Sequence, residues 1–258
     1  MPEGSVAIVA GVERLQSEHG PIFAVIGVFD GIHLGHQYLL QRLAEESLKR
    51  GARPTVITFD SHPDEILIGA APPLLLDPEE RIRLLRLAGV EVIVVQHFDA
   101  ALRTTEYDEF VHRIAARAQL AGLLMTPDAA FGHDRRGTPE TVAALGELDG
   151  FDLVVAPQFA LDGRSVRSSD VRSAIAAGDF AAAERLLGRP YSVIGVPGPD
   201  GTLEFDVPVA RPPTGSYRVT VEDEPASLLV DGSGTMRLPP ADAWSRGGRV
   251  SVVFAAGA

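Results

Sequence analysis

Between residues 22 and 157 the chain alternates short apolar runs with helical patterns, and that alternation restricts the fold more than any other feature. The runs at 22–28, 54–59, 91–95, 122–125 and 152–156 are rich in Val, Ile and Leu. Strands buried on both faces of a parallel sheet read this way, because neither face meets water. Between them the periodicity predicts helices over 35–49, 78–88, 106–120 and 138–147. Asp77 followed by Pro78 suits a helix start, and Gly89 in "RLAGVEVIVV" suits a helix end. This order predicts an α/β fold, a Rossmann-like doubly wound parallel sheet with right-handed crossovers. No internal repeat is visible.

From Gly195 the texture changes. "GVPGPDGTLEFDVPVARPPTGSYRVTV" is rich in Pro and Gly and carries almost no helical periodicity. Runs at 203–207, 216–221, 227–230 and 249–254 predict a small antiparallel β domain, with Trp244 as its packing anchor. It follows a helical pair, 169–177 and 179–187, joined at Gly178. The expected domains are therefore 1–190 and 191–258.

With 258 residues, 45% of them hydrophobic, the chain has material for an ample core. It has no cysteine, which excludes disulfides, thiolate metal sites and a cysteine nucleophile. An excess of 35 acidic over 23 basic residues argues against nucleic acid as a partner. No apolar segment reaches membrane-spanning length, so no membrane partner is expected and the cytoplasm is the expected compartment. Any phosphate chemistry has to use a local pocket.

One such pocket is written where the first of these runs meets its helix, in "VIGVFDGIHLGHQYLLQRL", 25–43. Ligands of open α/β sheets bind beyond the carboxyl ends of strands, and a helix N-terminus there favours anions. Gly27, Gly31 and Gly35 let backbone approach a ligand closely. The spacing is neither a P-loop nor a dinucleotide fingerprint. The candidate donors are instead His33 and His36, which at i and i+3 project to the same side of the first turn. Two imidazoles aimed at one phosphoryl group can stabilise a pentacoordinate phosphorus; the other reading is a pair of helix-start histidines serving as caps or ordinary surface residues. A metal site is not expected, since nothing nearby supplies a third ligand.

"GVFDGIHLGH" resembles the HxGH nucleotidyltransferase signature in the form used by bacterial FAD synthetases, the bifunctional riboflavin kinase/FMN adenylyltransferases. Three further segments are similar, in the same order: "TFDSHP" at 58–63, "AAFGHDRRGT" at 129–138, and "VRSSDVRSAIAAGDFAAAERLLGRPYSVIG" at 166–195. The resemblance implies adenylyl transfer, in which the FMN phosphate attacks the α-phosphorus of ATP, releasing pyrophosphate and forming FAD. Gly27, Val28, Phe29, Asp30, Gly31, His33, Gly35 and His36 would then hold ATP, with Ser168, Ser169 and Arg172 on its β- and γ-phosphates. His33, His36, Ser168 and Arg172 would carry the catalysis. Asp60, His62, Pro63, Asp128, Phe131 and Arg135 would hold FMN. Mg²⁺ would bridge phosphate oxygens.

Several of these residues have a second reading. Asp30 caps the first helix or contacts ATP. His62 orients the acceptor phosphate or closes a turn before Pro63. Phe29 packs beneath the loop, and Phe131 packs likewise or lies against the flavin. Arg135 and Arg136 form a phosphate clamp or a solvated pair.

The departures from the family pattern are specific. Thr126–Ala129 replaces a loop that usually holds a glycine and an aromatic residue, Ser61 replaces a proline, and Arg167 and Asp170 alter the serine motif. An aspartate beside a phosphate site opposes anion binding unless a cation offsets it. In the C-terminal region "PPTGSYRVTV", 212–221, resembles a kinase-domain strand start. Nothing resembles the family's Gly-Phe-Pro-Thr-Ala-Asn motif, and its later acidic segment and terminal helix are not found. The expectation is an FMN adenylyltransferase without riboflavin kinase activity. A transferase using another phosphorylated acceptor or CTP, or a non-catalytic nucleotide-binding paralogue, stays open.

Overall fold

The computed structural model describes residues 6–67, 69–239 and 248–256; Trp244 lies outside them. By internal contacts the chain forms two compact units. One takes in the chain up to Phe29 with Gly35–Pro72 and Ile82–Phe159; the other takes in Asp30–Leu34, Pro73–Arg81 and the chain from Ala160 on.

The first unit is built on a parallel sheet. Its strands are β1 (Ala7–Ala10), β2 (Ile22–Ile26), β3 (Arg53–Phe59), β4 (Val92–Gln96), β5 (Leu120–Met125) and β6 (Asp152–Val155), in the order β1-β4-β3-β2-β5-β6. The helices between them are α1 (Leu34–Lys49), α2 (Pro63–Leu67), α3 (Pro78–Leu87), α4 (Ala100–Arg103), α5 (Tyr107–Ala115) and α6 (Pro139–Asp149). The Rossmann-like doubly wound arrangement is therefore observed. The chain winds outward from β2 through β3 and β4, then returns to β5 on the other side of β2. The switch point lies between β2 and β5, where such sheets take their ligands. Residues 22–25 of β2 and 92–94 of β4 are buried, as their unbroken apolar runs require.

Three local expectations need correction. β1 was not anticipated: it is a four-residue edge strand pairing parallel with β4, and Ile8 on it is half exposed. The helix expected over 106–120 stops at Ala115, because Leu120 already pairs with Ile22 of β2. "ARAQL" has good helix formers, and sheet pairing overrides that local preference. The 22–28 run leaves the sheet at Ile26, and Gly27 donates to the Ile57 carbonyl as the chain turns away.

The second unit contains a hairpin, β7 (Ala160–Leu161) and β8 (Arg164–Ser165), and the helices α7 (Ser168–Ala176) and α8 (Phe180–Leu187). Its antiparallel sheet comprises β9 (Ser192–Pro197), β10 (Leu203–Glu204), β11 (Gly215–Val221), β12 (Glu224–Val230), β13 (Met236–Arg237) and β14 (Val250–Phe254). Their order is β10-β9-β14-β11-β12-β13. The boundary expected at 190/191 runs through an aromatic cluster. Phe180 of α8 stacks on Phe254 of β14 at 4.5 Å between centroids, and Tyr191 stacks on Phe254 at 5.5 Å. The Tyr191 hydroxyl, fully buried, donates to the Ala210 carbonyl at 2.6 Å. The helical pair thus shares a core with the sheet. Among the described residues no helix is long and apolar enough to cross a membrane.

Candidate nucleotide and acceptor site

The loop that leaves β2 contains three left-handed residues in four: Phe29 (φ 53°), Gly31 (φ 84°) and Ile32 (φ 40°). Such backbone is costly for a side-chain-bearing residue and persists only where surroundings enforce it. Phe29 is buried, and its ring lies 5.0 Å from that of His36 in the first turn of α1. At Gly31 a Cβ would come within 2.9 Å of Leu75, so the position requires glycine for space as well as for φ. Gly35 stands with His36 in the first turn of α1.

His33 directly precedes α1 and is 5% exposed. Burial drives its pKa from 6.5 down to about 4; Asp170 pulls it back up and Arg189 pushes it further down. At neutral pH the ring is uncharged. It offers one N–H as a hydrogen-bond donor and no positive charge.

Asp30, Ser168 and Arg172 come together, 138 and 142 residues apart in sequence. The buried Asp30 carboxylate accepts from the Leu75 N–H at 2.9 and 3.2 Å and from Arg172 Nη2 at 2.5 Å. Arg172 Nε donates to the Pro73 carbonyl at 2.8 Å, and the Ser168 hydroxyl donates to the Asp30 carbonyl at 2.9 Å. The sequence pointed to Ser168 and Arg172 as phosphate donors; here both tie down the loop. Ser169 stands exposed in the first turn of α7. Asp170, which looked unfavourable for an anion, accepts from the Arg167 N–H at 3.1 Å and so caps α7. That role explains an acidic residue at this position.

At the carboxyl ends of β2, β3 and β4 lies a cavity of about 460 Å³. Gly27, Val28, Phe59, His62, Pro63, Phe98, Phe131 and Arg135 line it. Phe59 and Phe98 meet edge to face at 5.4 Å, and Phe110 and Phe131 at 6.4 Å. Rings in these arrangements present flat apolar walls suited to a planar ring system. The fold thus brings His62, Pro63, Phe131 and Arg135 to one cavity, although up to 73 positions separate them in the chain.

His62 Nδ1 accepts from the Asp64 N–H at 3.2 Å, which gives it a turn-closing contact at the start of α2. A second cavity of about 300 Å³ opens between β2 and β5, lined by Val25, Leu39, Met125, Thr126, Asp128, Phe131 and Arg135 among others. Thr126 donates to the Asp128 carboxylate at 2.9 Å, and the Arg135 guanidinium reaches the Asp128 carbonyl at 3.5 Å. Arg136 lies instead by Glu106 and Asp134, in exposed ion pairs of the solvated kind. Gly132 (φ 75°) carries the turn between the cavities and Tyr107; a Cβ there would stand 2.6 Å from the Tyr107 nitrogen.

Asp60, expected at the acceptor, accepts from the Phe98 N–H at 3.3 Å and pairs with His97 Nδ1 at 2.6 Å. Burial raises the pKa of Asp60, but hydrogen bonds from His97 and from the backbone outweigh it and hold the carboxyl below its usual range. The same bond raises the pKa of His97. Sequence reasoning missed His97, whose signal was its place just after an apolar run ending in Gln96. It also missed Arg189, marked only by "LGRPY" after a helix.

A sequence profile of the FAD synthetase family matches residues 15–170. The chain is 34% identical over 226 residues to a bifunctional riboflavin kinase/FMN adenylyltransferase of Pseudomonas fluorescens, covering 83% of this chain and 73% of that one. It is 33% identical over 172 residues to the Haemophilus influenzae protein of that description, covering 66% and 56%. The Escherichia coli K12 protein of the same description is 31% identical over 191 residues, covering 73% and 61%. The chain thus spans between about half and three quarters of the length of these relatives. A crystal structure described as a macrolide-efflux protein from Streptococcus pneumoniae superposes with a TM-score of 0.76 at 21% identity, over 96% of this chain and 89% of that one. That likeness speaks for the fold alone. With the profile covering more than half of the chain and the HxGH turn at the end of β2, this protein belongs to the FAD synthetase family.

Proposed function

We propose that this protein is an FMN adenylyltransferase, transferring AMP from ATP to FMN to give FAD and pyrophosphate. The observation that carries the reading is the HxGH turn at the carboxyl end of β2, beside the switch point of the sheet, in a chain of this family. The N-terminus of α1 favours the phosphate charge of ATP. His33, held neutral, donates a hydrogen bond as negative charge builds on the α-phosphate, and His36 acts from the first helical turn. Ser168, Ser169 and Arg172 serve the β- and γ-phosphates. Arg172 also holds the Asp30 carboxylate. The aromatic cavity takes the isoalloxazine ring, with Arg135 and His62 for the acceptor phosphate. That phosphate is itself the nucleophile, so binding supplies proximity and no side chain need attack.

Among the described residues no group of three or more His, Asp or Glu side chains could hold a metal ion. Mg²⁺ is proposed to come with the nucleotide substrate, where it would neutralise phosphate charge. The proposed domains are a nucleotidyltransferase domain over 1–190 and a β domain over 191–258. Absence of riboflavin kinase activity is part of the proposal, supported by the lack of a Gly-Phe-Pro-Thr-Ala-Asn motif between the first strand of the antiparallel sheet and "PPTGSY".

The test is incubation of the purified protein with ATP, MgCl₂ and FMN, following FAD by chromatography and pyrophosphate by a coupled assay. Both products should form in equal amounts and vanish in His36→Ala. ATP binding without transfer to FMN refutes the acceptor. Conversion of riboflavin to FMN by the same sample refutes the proposed lack of kinase activity.

A further inference from the structure

Two successive left-handed residues, Gly31 and Ile32, turn the chain immediately before His33. Ile32 is a poor choice for such backbone, being β-branched, and it is 3% exposed. Something has to hold the turn and satisfy its carbonyls, which face a largely buried environment. The residue that does so comes from more than 150 positions away. Arg189 Nη2 donates to the Gly31 carbonyl at 2.7 Å and Nη1 to the Ile32 carbonyl at 3.1 Å.

We infer that Arg189 is a positioning residue of the reaction: its guanidinium clamps these two consecutive carbonyls and so fixes where the His33 ring stands.

Three features suit Arg189 to this task. The guanidinium is a rigid planar fork that can bond two neighbouring oxygens at once, whereas a lysine ammonium holds one point. Its backbone is anchored: α8 ends at Gly188 in a left-handed cap, Leu187 is buried in the core of the unit, and Nη1 also reaches the Leu187 carbonyl at 3.4 Å. Its charge stands near enough to His33 to oppose protonation of the ring, against Asp170 of α7, which favours it. The clamp thus keeps the imidazole in place, and its charge adds to the burial that holds the ring neutral. Arg189 needs no contact with ATP to do so.

This inference rests on the proposed adenylyl transfer, and its test separates the two. Arg189→Lys and Arg189→Gln are compared with the wild-type chain in FAD formation and in an NMR titration of ¹³C-labelled histidines, with the His33 resonance assigned by His33→Gln. In Arg189→Lys, kcat should fall roughly tenfold to a hundredfold, the cost of a misplaced catalytic group, while KM for FMN stays unchanged. In Arg189→Gln the His33 titration should move up from about 4 by the share that Arg189 contributes, with the larger lowering by burial remaining. Wild-type kcat in Arg189→Lys, or a His33 titration unmoved in Arg189→Gln, overturns the clamp. If wild-type protein makes no FAD, the functional reading fails, and the His33 titration alone still decides whether Arg189 governs that ring. Should Arg189→Gln not fold, the same titration in Arg189→Lys decides, through a displaced His33 resonance.

Discussion

Replacing Asp30 with Asn removes one charge from the contact between Arg172 and the loop while keeping the side chain's shape. Asp30 is 3% exposed and the Arg172 side chain 18%, and they meet at 2.5 Å. Removing one partner of a buried pair costs ~3–5 kcal/mol, mostly because the other charge is left uncompensated. Arg172 retains the Pro73 carbonyl and some solvent, so Asp30→Asn should cost less than that, about 2–3 kcal/mol.

Arg172→Met should cost more, ~3–5 kcal/mol, because it takes the guanidinium away from a buried carboxylate that still accepts from the Leu75 N–H. The double variant should fall short of the sum of the single costs by ~2 kcal/mol or more, since each single variant already forfeits the same bond. Melting followed by circular dichroism should show Asp30→Asn lower by about 4–12 °C, at ~2–4 °C per kcal/mol for a chain of this size. A shift under ~1 °C for Asp30→Asn, or strictly additive costs in the double variant, would mean that the pair does not hold this loop.

Acid should act through His33: with its pKa near 4 folded against 6.5 unfolded, the unfolded chain binds the proton first. Stability is then full above pH 6.5 and falls by up to roughly 3 kcal/mol as pH drops towards 4. Urea midpoints across this window should flatten in His33→Gln; an unchanged slope refutes the assignment. The Asp60–His97 pair behaves in the opposite sense, because the pKa of His97 is raised and that of Asp60 lowered. Its contribution is present below pH 6.5, fades as pH rises through the folded pKa of His97, and fades again in acid as Asp60 takes up its proton. Wild type and His97→Gln should therefore differ most between pH 4 and 6.5 and converge at high pH; a gap that widens in alkali contradicts the pairing. Gly132→Ala should push the turn away from Tyr107 and cost about 1–3 kcal/mol of stability. FMN affinity, read by flavin fluorescence quenching, should weaken with it; tight binding retained would place the flavin elsewhere.

The sequence alone carried the sheet and the chemistry. β2 to β5 were legible because a strand covered on both faces has to be apolar without interruption, and Val, Ile and Leu runs say so directly; edge strand β6 showed through its Leu-Val-Val run although Asp152 and Val155 are exposed. The helix start at Pro78 was legible because capping is a local matter of one or two residues. The HxGH segment was legible as the mark of the family because imidazoles and glycines combine in this pattern at a strand-to-helix turn, and its role at a phosphate is part of the proposal. Only tertiary structure decided what depends on partners distant along the chain. Edge strand β1 exists through its pairing with β4. Asp30 reads as a cap or a nucleotide ligand until Arg172 and Leu75 are seen to claim its oxygens. His33 reads as an imidazole donor whose charge only burial decides, and Arg189 has no local signal for its hold on Gly31 and Ile32. Periodicity and capping are written in neighbouring residues, whereas a pKa, a strained turn or an ion pair is set by whatever the fold brings against it.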